Sequence, residues 1–233
     1  AYVASHDLQE PLRKIQTFSE LGERNINNEE VLRKYLGKIN SSAQRMTELI
    51  KAVLNYSRLS KADNEFLEVD LNSVLHSIRV DLELLIQEKN AVINYGTLPS
   101  IYGIPLQLHQ LFFNLITNSL KFNENIPVVD ITTRVVNGND VEGEDMIVKG
   151  REYLLITLSD NGIGFDQKFA EKVFSIFQRL HSDRTTIQGT GIGLAICKKI
   201  VENHQGVISV RSELKKGTKF SIYLPLLHLR SAS

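Results

Sequence analysis

The sequence predicts an α+β protein: a helical hairpin over residues 1–60, then a mixed α/β domain over residues 66–228. Three observations carry that expectation. Apolar residues in the first part recur in steps of three and four, the period of an amphipathic helix. From Phe66 onward, short β-branched runs alternate with helical patterns. And the stretch GTGIGLAICKKIVENHQG, 189–206, sets alternating glycines directly ahead of a helix. Glycines let a backbone pass close to a ligand, and a helix start offers unpaired N–H groups and a positive dipole end to an anion. A nucleotide phosphate suits such a place, although many ordinary strand-to-helix turns also use glycine.

Residues 1–25 place Ala4, Leu8, Leu12, Ile15 and Leu21 on one stripe, with Phe18 nearby. His6 falls on the far side with Glu10, Arg13 and Thr17, a setting that surface histidines commonly share. Pro11 lies one turn beyond Asp7, where it removes a helix hydrogen bond and crowds the Asp7 carbonyl. Proline in a helix interior costs roughly 3 kcal/mol of propensity, so something other than helix stability favours a bend beside His6. NINN, 25–28, breaks the pattern. A second helix is expected from Glu29 to Ser60, with Val31, Tyr35, Ile39, Ala43, Met46, Ile50, Val53 and Leu54 along it. A hairpin this thin cannot bury both stripes, so it is expected to dimerise into a four-helix bundle. The alternative is that it packs on the following domain.

Residues 61–65, KADNE, have linker composition, and 229–233 read as a tail. Strands are expected at Phe66–Leu71, Ala91–Tyr95, Ser100–Gly103, Val128–Val136, Glu152–Ser159, Val207–Ser212 and Lys219–Leu224, the last two joined by Gly217 and Thr218. Helices are expected from an Asn72 cap to Gln87, from Pro105 to about Phe122, and from Leu194 to Asn203. The acidic stretch 137–150 reads as a loose, solvated hairpin extension without a catalytic role.

Composition narrows the classes. Lys plus Arg equals Asp plus Glu at 27 each, which supplies no electrostatic grip on nucleic acid or an anionic membrane. Cys197 alone cannot make an intrachain disulfide or a cysteine metal cluster, and among apolar helix residues it reads as a buried structural thiol. No apolar run approaches the roughly 20 residues that span a bilayer. The chain opens in mid-helix without a signal peptide, so a soluble fragment of something longer is expected.

Asn114, Asn118 and Lys121 sit at i, i+4 and i+7, on one helix face. They read either as a solvated face or as amide oxygens for a hard cation plus a charge for phosphate; magnesium keeps waters and shares substrate phosphates, so one amide oxygen from the protein can suffice. In SDNGIGFD, 159–166, Asp160 ends a strand and Gly162 and Gly164 shape the turn after it. A carboxylate there can accept from an exocyclic amine, which favours adenine over guanine; the plain alternative is an Asp-Asn-Gly turn.

The order of these stretches resembles the sensor histidine kinases of two-component signal transduction. SHDLQEPL looks like the H box, HQLFFNLITNSLKF like the N box, DNGIGF and GTGIGLAI like the two glycine boxes, and VFSIFQRL like the F box between them. SHDLQEPLRKI further resembles the phytochrome-like subgroup. The resemblance covers essentially the entire chain. It implies a dimerisation and phosphoacceptor hairpin over 1–60 and a GHKL-type, Bergerat-type ATP-binding domain over 66–228. It also implies an upstream sensor module, a response-regulator receiver domain as partner, a cytoplasmic location for this part, and ATP with Mg2+ as cofactors.

Residue by residue, the resemblance implies that His6 is the phosphoacceptor, with Asp7 orienting its ring. Asn118 matches the magnesium ligand, supported by Asn114. Lys121 would contact phosphate and Phe122 would lie against adenine. Asp160 would receive the adenine amine, with Gly162 and Gly164 forming that wall and Thr218 nearby. Gly189, Thr190, Gly191 and Gly193, with the amide of Leu194, would hold the phosphates. Arg179 matches an arginine that reaches the γ-phosphate, and 181–188 would be a mobile lid. Two positions depart from the family pattern. Glu10 stands where Thr or Asn often positions water to dephosphorylate the partner, which implies weak or absent phosphatase activity. Ile104 stands where an Asp often precedes the proline, with no expected consequence. The rivals are a GHKL-type ATPase driving conformational change, which would need a Glu at the place of Asn114, and a degenerate, nucleotide-gated dimeric scaffold.

Overall fold

The computed structural model describes residues 2–59, 65–141, 146–178 and 191–226. The helical hairpin consists of α1 (Tyr2–Arg24) and α2 (Glu29–Arg58). Asn28 caps α2, its side chain accepting from the Val31 N–H at 3.2 Å, and Glu29 and Glu30 face the positive end of the dipole. α1 runs through Pro11 without a break, and the proline is buried. Phe18 stacks on Tyr35 with centroids 5.9 Å apart, and the Lys38 ammonium sits 4.6 Å from the Phe18 ring. The line that α2 buries runs through Ser42 and Leu49 instead of the expected Ala43 and Ile50. Ile50 stays exposed together with Leu12, Leu36, Val53 and Leu54, so the hairpin keeps a second, unburied apolar face.

The rest comprises β1 (Leu67–Asp70), α3 (Leu71–Asp81), α4 (Glu83–Lys89), β2 (Val92–Tyr95), β3 (Ser100–Gly103), α5 (Pro105–Lys121), β4 (Val128–Asn137), β5 (Glu152–Asp160), α6 (Gly193–Asn203), β6 (Val207–Glu213) and β7 (Gly217–Pro225). A 5-stranded sheet runs β2-β4-β5-β7-β6, with β2 parallel to β4 and the other pairs antiparallel; β1 and β3 form a small antiparallel pair. Along β5 the period of two sends Leu154, Ile156 and Leu158 into the core with Leu111, Phe112 and Leu115 of α5 and Ile200 of α6. On the opposite face Thr132, Thr157, Ser221 and Ser209 line up across neighbouring strands by register. The expected α+β class holds: a helical hairpin followed by helices layered on one face of a mixed sheet.

Four local expectations need correction. The cap of α3 is Asp70, whose carboxylate accepts from the N–H groups of Asn72 and Ser73; Asn72 instead bridges to Leu98, donating to its carbonyl at 2.7 Å and accepting from its N–H at 2.9 Å. The single helix expected through Gln87 breaks at Leu82, which is buried, and α4 beyond it buries none of its residues. Gly217 and Thr218 are not the turn between the last strands: the chain reverses through Leu214–Lys216, where Lys215 takes a φ of 63°, and Gly217 already belongs to β7. The stretch 137–150 is anchored where it is described, with Ile147 buried, the Gly138 N–H donating to Arg151 O, and the Val148 N–H donating to the Tyr153 hydroxyl at 3.0 Å.

The C-terminal end of α2 rests on the sheet domain. Leu49 is part of the common core, Ala52, Tyr56 and Leu59 pack against it, and the Asn203 amide donates to Leu59 O at 2.8 Å. Next to Asn203, buried His204 accepts the Ile104 N–H on Nε2 at 3.0 Å, its Nδ1 lies 2.8 Å from Ile200 O, and the Phe66 ring packs on it at a tilt of 50°. These partners need a neutral imidazole with its hydrogen on Nδ1. The backbone at Ile104, the N-cap of α5, thus finds its acceptor on the residue that ends α6.

Burial holds the His204 pKa below its usual 6.5, against the opposing effect of the Ile200 carbonyl. The unfolded chain takes up this proton near the ordinary value and the folded chain resists it. The stability contributed is therefore fully present above pH 6.5 and is lost as pH falls below it. The urea midpoint of the native chain is expected to drop between about pH 7 and about pH 5 more steeply than that of His204→Gln. Parallel slopes would show that His204 is not the group responsible.

Candidate active site

α5 carries the site along one edge. Pro105 starts it with a preset φ, and Leu108, Leu111, Phe112, Leu115, Ile116 and Leu120 are buried. That orientation leaves Asn114 and Asn118 half-buried at the rim and Lys121 exposed. The Asn114 amide donates to Gly193 O at 3.3 Å and its oxygen accepts from Gln110 Nε2 at 3.0 Å, which ties α5 to the start of α6. Asn118, one turn on, has no hydrogen-bond partner for its carboxamide among the described residues. Of the two amides, one is committed to the protein and the other is unpartnered among the described residues.

At the start of α6 no side chain caps the helix, and the first intrahelical bond runs from the Ile196 N–H to Ile192 O at 2.9 Å. The N–H groups of Gly193, Leu194 and Ala195 therefore have no partner within the helix, an arrangement that receives anions. Gly191, just before, has a φ of 71°, and a Cβ there would come within 2.9 Å of the Phe177 backbone carbon. Phe177 is itself buried, so the F-box phenylalanine forms the floor under this turn. Arg179, Gly189, Thr190 and the segment 181–188 lie outside the described residues.

The other end of the site is a carboxylate knot, about 7 Å further along the α5 axis. Asp160 Oδ1 accepts from the N–H of Gly162 at 2.9 Å and of Thr218 at 3.1 Å, and Oδ2 accepts from the Ser119 hydroxyl at 3.0 Å. Burial pushes the Asp160 carboxyl above its usual 3.8, while the same three hydrogen bonds pull it down. Half-buried Phe122 ends α5, and its carbonyl accepts the Ile163 N–H at 3.0 Å. Gly164 has a φ of 58°, and a Cβ there would fall 2.0 Å from Glu213 O. This glycine is required by the chain's own β6–β7 turn. The Thr218 hydroxyl lies 3.0 Å from that of Ser212, which accepts the Phe165 N–H and donates to Gly217 O.

The structure thus brings Asn114, Asn118, Phe122, Asp160, Gly162, Gly164, Gly191, Gly193, Leu194 and Thr218 around one edge of α5. His6 and Asp7 lie on α1, in another part of the chain, and their side chains are outside the described residues. Sequence reasoning missed Ser119, Ser212 and Gln110, since a serine or glutamine in a helix or strand carries no local mark of a partner far along the chain. Cys197 is wholly buried, and burial pushes its thiol up to about 12, which fits a structural role. Among the described residues no group of three or more His, Cys, Asp or Glu could hold a metal. The donor on offer is an amide oxygen, which fits a hard cation that takes its remaining ligands from water and phosphate.

Comparison with known proteins agrees with this geometry. Residues 103–228 match the family model for histidine kinase-, DNA gyrase B-, and HSP90-like ATPases, and residues 1–62 match that for the His Kinase A (phospho-acceptor) domain. The chain belongs to the sensor histidine kinases. It is 35% identical over 228 residues to the phytochrome-like protein Cph1 of Synechocystis sp., covering 97% of this chain and 29% of Cph1. The kinase chain thus spans less than a third of that relative. The solved histidine kinase ThkA, in complex with the response regulator protein TrrA, shares the fold with a TM-score of 0.67 and 22% identity, over 96% of this chain and 60% of that one. Full-length ShkA in complex with AMPPNP does so with a TM-score of 0.60 and 20% identity, over 99% of this chain and 48% of that one.

Gly164→Ala tests the tightest of these turns. The backbone angle alone costs a non-glycine residue about 1–3 kcal/mol, and the overlap with Glu213 O adds to it. The variant is expected to unfold at clearly lower urea concentration. An unchanged midpoint would refute the packing described.

Proposed function

We propose that this chain is the ATP-dependent kinase core of a two-component signalling protein. The γ-phosphoryl passes from ATP to His6, and then to an aspartate on a response-regulator receiver domain. One observation carries the reading: a helix start whose first N–H groups have no intrahelical partner, an Asn118 amide without a partner among the described residues and a half-buried carboxylate share one edge of α5, in a chain whose other part is a hairpin bearing His6 and Asp7. An anion site and an amine acceptor ranged along the same helix suit the two ends of an adenine nucleotide.

In this reading the amides of Gly191, Gly193 and Leu194 with Gly189 and Thr190 hold the phosphates, and Lys121 adds a cation at the rim. Phe122, Gly162, Gly164 and Thr218 surround the base, and Asp160 takes its amine. Asn118 would hold Mg2+, supported by Asn114; the ion supplies charge neutralisation on the phosphate oxygens. Neutral His6 attacks the γ-phosphorus with one ring nitrogen, and the bond from that phosphorus to the bridging oxygen breaks, so ADP leaves with the electron pair. Asp7 accepts the hydrogen bond of the other ring nitrogen and stabilises the charged ring that forms. Arg179 would meet the charge that develops on the transferring group. In the second transfer the N–P bond breaks as the receiver carboxylate attacks.

Two further features belong to the same reading. The exposed Leu12, Leu36, Ile50, Val53 and Leu54 make a homodimer through the hairpin the natural way to bury that face. The antiparallel hairpin, paired at Phe18 and Tyr35, puts His6 level with about residue 47 of α2, so the contact at Leu59 lies about 18 Å beyond it. The nucleotide must therefore travel to His6 by movement about the 61–65 linker. ATP as donor puts the chain in the cytoplasm; among the described residues no helix is long and apolar enough to cross a membrane. The ATPase alternative fares worse, because Asn114 cannot serve as a base and its amide is bound to Gly193 and Gln110.

Incubation with γ-labelled ATP tests the reading. The native chain is expected to gain an acid-labile, base-stable phosphate, and His6→Gln to lose the label while still binding nucleotide. Label retained on another residue would overturn the assignment. Glu10 lies one turn from His6 and is held 2.6 Å from the Lys14 ammonium. Its carboxylate repels a phosphoryl group, so Glu10→Thr is expected to speed dephosphorylation of a phosphorylated receiver. No increase counts against that role.

A further inference from the structure

Resting on the adenine pocket just described, we propose that Ser119 is the positioning residue that commits Asp160 to a single amine donor and so sets the preference for adenine. The count of acceptor sites leads there. A carboxylate offers about four lone-pair directions, two on each oxygen. On Asp160 the two directions of Oδ1 are taken by the backbone N–H groups of Gly162 and Thr218. One direction of Oδ2 is taken by the Ser119 hydroxyl at 3.0 Å. The single remaining direction lies on Oδ2, and its aim is fixed by the hydroxyl that occupies its neighbour.

Ser119 is suited to this task by its own surroundings. It is 3% exposed, so water does not compete for the hydroxyl. Its one hydrogen lies within reach of two acceptors, the Leu115 carbonyl at 3.2 Å and Asp160 Oδ2 at 3.0 Å. The charged and nearer acceptor takes it. The two backbone donors hold only Oδ1, about which the carboxylate can still pivot. The serine stops that pivot, and it comes from α5, the helix that also carries Asn114 and Asn118. The base end and the phosphate end of the pocket are thereby held by one rigid element. A carbonyl at the position of the amine would meet a carboxylate oxygen without a hydrogen between them.

The discriminating measurement is the affinity of the full 233-residue chain for ATP and for inosine triphosphate, which carries a carbonyl where adenine has its amine. Ser119→Ala is expected to weaken ATP by roughly tenfold and to leave inosine triphosphate within about twofold, since the latter never used the acceptor. Ser119→Cys, of similar size but a weaker donor, is expected to fall between. In an Asp160→Asn background, Ser119→Ala is expected to bring no further loss of selectivity. Equal weakening of both nucleotides, or additive losses in the double variant, would make Ser119 a packing residue only and overturn the proposal. Native chain that binds neither nucleotide, or Asp160→Asn that leaves ATP affinity unchanged, would overturn the pocket itself and the proposal with it.

Discussion

A half-buried carboxylate that has to stay satisfied is the constraint on which the sheet domain turns. Asp160 draws donors from three separate places: Ser119 on α5, Gly162 in the turn after β5, and Thr218 at the start of β7. Burial raises the cost of its charge, and only the joint supply of these donors offsets it. Each donor is delivered by a different part of the fold, so α5, β5 and β7 must meet in one arrangement for the carboxylate to be stable. Gly164 and the β6–β7 turn lock the same corner by close approach.

α5 transmits that arrangement to the phosphate end. Its apolar side is wholly buried against the sheet and α6, which leaves no freedom to rotate without exposing Leu111, Leu115 or Phe112. The Asn114 amide then fixes the first residue of α6 against it. The uncapped N–H groups of α6 are aimed by packing, with Ile192, Ala195 and Ile196 buried around the helix start. The first N–H groups of the helix have no intrahelical partner, which is the arrangement an anion can complete.

The hairpin is organised by a different necessity. α1 and α2 hold each other through an aromatic stack and a buried line, yet keep a second apolar face on view. The C-terminal end of α2 is also clasped by Asn203, beside the neutral His204 that joins α6 to the start of α5. The same helix thus packs on α1 at one level and on the sheet domain at another. Of the alternatives open at the sequence level, packing on the next domain is seen at the C-terminal end of α2, while Leu36, Ile50, Val53 and Leu54 stay exposed.

How much of this was legible depends on the range of the interaction. Period and turn chemistry are local, so the helix–hairpin plan, the strands of the sheet and the motif-bearing turns around Asp160 and Gly191 could all be read from neighbours in the chain. Spacing placed Asn114 and Asn118 on one face and the family resemblance gave Asn118 the cation, but that Asn114 is clamped to Gly193 while Asn118 has no partner among the described residues follows only from the packing of α6 on α5. Asp70 took the cap expected of Asn72 because Leu98, brought close by the pairing of β1 with β3, claimed the amide. Ser119 carried no sign of its task, since its partner lies 41 positions away. The amino-acid order by itself determined the α+β plan and the chemical vocabulary of the site. Which donor meets which acceptor was decided by tertiary packing, because a hydrogen bond depends on where two groups end in space and a buried one is settled only when every competing partner is in place.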